Sequence, residues 1–128
     1  MLSDEHCSTV TSARLLSNQL TDYNYSEENL SNIYEAITRH INPVVSIKAG
    51  AEAHLLNAGA MLDVIGSRKY EIDKAIIDDV LLLHPRTNFK NQISHCFCRQ
   101  KKMYPLSRIA FLTDNGLNNL IASVPFDS

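Results

Sequence analysis

Asp63 and His40 are the two side chains whose type and setting could do chemistry. Asp63 closes a long apolar stretch, Ala49-Gly-Ala-Glu-Ala-His-Leu-Leu-Asn-Ala-Gly-Ala-Met-Leu-Asp-Val-Ile-Gly66. A carboxylate in such a stretch is expected to be buried. It also lies near a helix C-terminus, where the macrodipole disfavours negative charge. It therefore needs a metal, an arginine or a set of hydrogen-bond donors, and Arg39, Arg68 and Arg86 are the candidate arginines. His40 ends a helix whose apolar face points inward. Its side chain can hold the last carbonyls of that helix, or serve as a ligand or proton carrier in the same cavity as Asp63.

Other polar groups read as structural. His54 precedes Asp63 by nine residues, about 900° of helical rotation, so the two face opposite sides and cannot share a ligand; His54 is a surface or contact residue. His95-Cys-Phe-Cys98 suggests zinc, but cysteines two apart on a helix diverge by about 200° and no second pair exists, so Cys96 and Cys98 read as core thiols. Asp78 and Asp79 are adjacent and point in different directions, which is no acid–base pair. Arg99 to Lys102 is a basic run at a helix end. No glycine-rich phosphate loop or nucleophile-elbow motif is present.

The elements that must position these residues are helical. Val10, Ala13, Leu16 and Leu20 predict a first helix from Ser8 to Leu20. Ser26 is an N-cap with Glu27 and Glu28 in the first turn, and Asn42-Pro43 stops that helix after His40. Val44 to Ile47 reads as a loop. Lys48 to Ile65 is apolar on nearly every face and is expected to be central and buried, with Gly66 as its C′ residue. Asp73 caps a helix to Leu83, and another runs from Asn88 to Lys102. Asp114 to Ser123 forms one more, capped by Thr113. The result is an all-α domain of five to six helices.

The 128 residues suit one domain. Apolar residues make up 45%, and 12 basic against 14 acidic side chains give a net charge of −2. That balance gives no drive toward nucleic acid, and no apolar run is long enough for a membrane span. Met1 to Glu5 is acidic, unlike a signal peptide, and three cysteines fit reduced thiols, so a cytoplasmic location is expected.

Glu35-Ala-Ile-Thr-Arg-His40, Leu62-Asp-Val-Ile-Gly66, Asp79-Val80, His84-Pro-Arg86 with Phe89, and Cys96-Phe97 together resemble, in order and spacing, the C-terminal half of an HD-domain protein of the cyanamide hydratase-like branch. The resemblance spans roughly residues 10 to 100. It implies an all-α fold in which Asp63 matches the final metal-binding aspartate and His40 a further histidine of the active-site region. In that branch zinc activates water to hydrate a nitrile-like substrate.

The departures shape the expectation. The chain has no His-Asp dipeptide, Ile41 and Val64 replace the family's Gln and Asn, and Met103-Tyr-Pro-Leu-Ser-Arg108 replaces its Lys-Pro-Trp-x-His-Thr stretch. The expected reading is a truncated, degenerate HD-like helical domain over residues 1–128, lacking the N-terminal helices. It is inactive alone and acts through binding or oligomerisation. The isolated chain is expected to bind no cofactor; zinc or another divalent metal would sit at Asp63 only if ligands came from elsewhere. A homodimer or a complementing protein partner would cover the apolar face left by the missing helices. Two alternatives are a metal-dependent hydratase or hydrolase completed by another chain or an upstream segment, and a regulatory module for a small ligand.

Overall fold

A computed structural model describes residues 7–126. Seven α-helices follow one another, with no strand among the described residues: α1 (Ser8–Leu20), α2 (Glu27–Arg39), α3 (Ala51–Ile65), α4 (Lys74–Leu83), α5 (Phe89–Met103), α6 (Arg108–Asp114) and α7 (Leu117–Ser123). Single 3₁₀ turns, Ile47–Ala49 and Lys69–Glu71, precede α3 and α4. The all-α expectation holds. The reading of Met1 to Glu5 lies outside the described residues.

Local chemistry sets the boundaries. The Ser26 hydroxyl accepts from the Asn29 N–H at 3.1 Å, with Glu27 and Glu28 in the positive first turn of α2. The Asp73 carboxylate accepts from the Ala75 N–H at 2.8 Å and starts α4. Gly66 ends α3 in the left-handed region at φ 68°, where its N–H bonds the Leu62 carbonyl. Ser107 caps α6 through the Ala110 N–H.

α1 packs on α2 and α2 on α3; α5 packs on α6, and α7 touches α3, α5 and α6. Ala36, Val45 and Ala53 form a small core between α2 and α3. Ile109, Ala110, Leu117, Ile121 and Val124 are buried at the other end. No helix among the described residues is long and apolar enough to cross a membrane.

Three expectations need correction. The helix expected over Asp114 to Ser123 is α7, which begins only at Leu117: Gly116 at φ 94° separates it from α6, an unexpected helix that begins at Arg108 and ends at Asp114. Asn-Gly reverses the chain where a continuous helix was expected, and Thr113 lies inside α6 rather than capping a helix. α3 starts at Ala51, because Lys48 is held in the 3₁₀ turn. Nor is α3 buried all round: only Ala53 and Asn57 are, while Leu55 and Leu56 face outward. Apolar sequence on every face does not oblige every face to find a neighbour.

Candidate functional site

His40 stands just past the end of α2. Its Nδ1 lies 2.6 Å from the Ile37 carbonyl oxygen. A carbonyl only accepts, so Nδ1 carries the hydrogen and donates, which leaves Nε2 as the uncommitted ring atom. The ring therefore does what a helix-end histidine does. It also lines a cavity of about 380 Å³ at the centre of the bundle, walled by α1, α3, α5, α6 and α7. Ala60, Met61, Val64, Phe97 and Leu117 give the wall its apolar character. Polar atoms come mainly from His40 and from Ser8, Thr9 and Ser12 along α1.

Asp63 is elsewhere. It borders a groove between α3 and α4 with Gly59, Leu62, Ile76 and Val80, and it does not line the cavity that His40 lines. The expected shared cavity is thus corrected, and so is the expected burial: the Asp63 side chain is 60% exposed. Asp63 occupies the solvent side of α3, whose covered side carries Ala53, Asn57 and Ala60.

Its partner is Arg86, one of the three arginines the sequence offered. Arg39 pairs with Glu35 and Arg68 with Glu71 within their own segments. The buried member of the Asp63–Arg86 pair is the cation, 6% exposed. The Arg86 Nη1 donates to Asp63 Oδ1, and Cζ lies 4.2 Å from the Phe89 ring centre and 5.5 Å from that of Phe126. Two aromatic faces take the place of water around the guanidinium. Nε and Nη2 have no hydrogen-bond partner among the described residues.

Two polar assemblies escaped the sequence reading. The buried Asn57 side chain accepts from the Val45 N–H at 3.1 Å. It donates to the carbonyls of His40 at 2.9 Å and Asn42 at 2.7 Å. His54, the expected contact residue, places Nδ1 2.7 Å from the Val45 carbonyl and donates to it. Both polar backbone groups of buried Val45 are thus met from α3, which fixes the α2–α3 loop and with it His40.

The second assembly joins the start of α1 to the start of α6 and to Asn42 after α2. Arg108, at the start of α6, donates from Nε to Cys7 Sγ at 3.3 Å, from Nη2 to Thr9 Oγ1 at 2.5 Å and from Nη1 to Asn42 Oδ1 at 3.0 Å. None of these partners is a carboxylate. Burial alone would raise the Cys7 thiol pKa, but hydrogen bonds from Thr9 and Arg108 and the guanidinium charge bring it below its ordinary value of 9.0. Cys7 is the buried core thiol. The expectation that Cys96 and Cys98 are core thiols is corrected: Cys96 is exposed, and Cys98 is half-buried on another side of α5, where the Asn118 amide of α7 donates to its Sγ at 3.4 Å.

The residues present do not fit the metal that the HD resemblance implies. Asp63 is committed to a guanidinium, His40 faces a different cavity, and no three His, Cys, Asp or Glu side chains among the described residues converge on one point. Zinc needs three protein ligands even at a catalytic centre. Compared with protein-family models, curated proteins and solved structures, the chain matches none.

Proposed function

We propose that this chain is a degenerate HD-type helical domain that works by binding rather than by catalysis, with a second copy of itself as the partner. The sequence resemblance and the all-α fold support the lineage, and the pairing of Asp63 with Arg86 speaks against a metal at Asp63.

The observation that carries this reading is α4. Seven of its ten residues, Lys-Ala-Ile-Ile-Asp-Asp-Val-Leu-Leu-Leu, are apolar, yet none is buried. Ile76, Val80 and Leu83 fall at helical spacing on one face and are 57%, 51% and 73% exposed. The groove between α3 and α4, floored by Gly59 and Leu62, extends that face toward the exposed Leu55. Full burial of one such side chain stabilises by about 1.5–3 kcal/mol, so a stripe of three plus a groove can sustain an isologous dimer in which α4 of each copy lies against the other.

Sedimentation at micromolar concentration tests this. The expected mass is near twice 14.4 kDa. Val80→Glu should return it to the monomer value without loss of helical signal. A wild-type monomer at that concentration would overturn the proposal.

A further inference from the structure

The central cavity serves neither the pairing of Asp63 nor the α4 face, and its chemistry is selective. At about 380 Å³ it falls in the size range of small-molecule sites. An apolar cavity of about 150 Å³ takes a benzene, so by proportion this one takes a molecule of about fifteen non-hydrogen atoms. The walls ask that most of those atoms be hydrocarbon.

The polar atoms bordering the cavity define the remainder. Ser8, Thr9 and Ser12 lie in the first turns of α1, a thirteen-residue helix whose first turn holds no acidic side chain. An N-terminal turn of this kind favours negative charge. Behind Thr9 stands the Arg108 guanidinium, bonded to its hydroxyl and matched by no carboxylate among the described residues. None of the described residues lining the cavity carries a carboxylate. A cavity with apolar walls and a border of hydroxyls at a positive helix end suits an aliphatic tail with an anionic head.

We infer that the cavity binds a medium-chain aliphatic carboxylate, its tail among Met61, Val64 and Phe97 and its head toward the serine hydroxyls of the first turns of α1. This inference is independent of the dimer: the residues it uses face away from α4, and filling the cavity leaves the α3–α4 groove untouched.

Titration calorimetry with dodecanoate, below its micellar range, reads the site directly. One dodecanoate per chain is expected, bound more tightly than dodecanol of the same length. Ala60→Phe and, as a second filling variant, Val64→Phe should each weaken binding at least about tenfold while circular dichroism shows the fold retained. Absence of dodecanoate binding would overturn the inference. So would dodecanol binding as tightly as dodecanoate. Binding that survives both filling variants would place the ligand on the open α3–α4 groove and overturn the assignment to the cavity.

Discussion

Arg86 is buried between Phe89 and Phe126 while Asp63, which neutralises it, stands largely in solvent. The usual expectation for an aspartate in an apolar stretch is reversed. The cation is the desolvated partner, and the carboxylate reaches over the protein surface to it. Losing the carboxylate would strand a charge that has few other partners.

That asymmetry sets a mutational order. Asp63→Ala should destabilise the fold by about 1.5–3 kcal/mol, the worth of a hydrogen bond to a charged group, since it leaves Arg86 buried and unpaired. Arg86→Met should cost less, because Asp63 alone remains solvated. The double variant should recover most of the Asp63→Ala loss. Urea midpoints for the four proteins decide this; a double variant as unstable as the sum of the singles would contradict it.

Asn57 should be the most sensitive polar position. Asn57→Ala removes three hydrogen bonds from buried groups and is expected to cost about 2–4 kcal/mol. Asn57→Asp should be worse, because it turns a donating amide into a carboxylate oxygen facing the His40 and Asn42 carbonyls. Equal midpoints for the two variants would mean that the loop relaxes around the site.

Cys7 links stability to pH. Its thiol ionises more readily in the folded chain than in the unfolded one. The associated stability is complete above the ordinary thiol value of 9.0 and is lost as pH falls through the lowered folded value. Wild type should therefore gain stability relative to Cys7→Ser between pH 6 and pH 9. A constant gap between their urea midpoints across that range would refute the thiolate–guanidinium pairing.

Ionisation and access are separate matters for the three thiols. A thiol-reactive disulfide reagent should modify Cys96 first and Cys98 more slowly. Cys7, although its thiol pKa is lowered, should react only at the rate of unfolding, since it is fully buried. Fast modification of Cys7 in the native protein, located by mass spectrometry, would show a route to its sulfur that the packing does not provide.

The sequence made legible what is decided within a turn or two of helix. Ser26, Asp73 and Gly66 mark their boundaries because a cap acts on residues three or four away. α6 went unread because seven residues give too few repeats to establish a period, and its opening signal, Ser107, follows Tyr104-Pro105 in a stretch set aside as a departure from a family motif. Arg86 stood among the arginines that could meet Asp63, since charge pairing is readable as a short list. Which partner is buried was not readable, because it depends on which side of α3 its neighbours cover. Asn57, Cys7 and Arg108 were invisible as a group for the same reason: their bonds join residues 12 to 101 positions apart.

The Arg108 connections also impose an order in time. α1 and α2 can pair as soon as both are made, since they are neighbours in the chain. The guanidinium that ties Cys7 and Thr9 to Asn42 appears 99 residues after Thr9. At roughly 5–20 residues per second, α1 waits on the order of 5–20 s during synthesis before its first turn can be fastened. Through that interval the nascent chain holds a helical hairpin whose inner face has no lid, and any protein that greets emerging chains meets that face before α6 does.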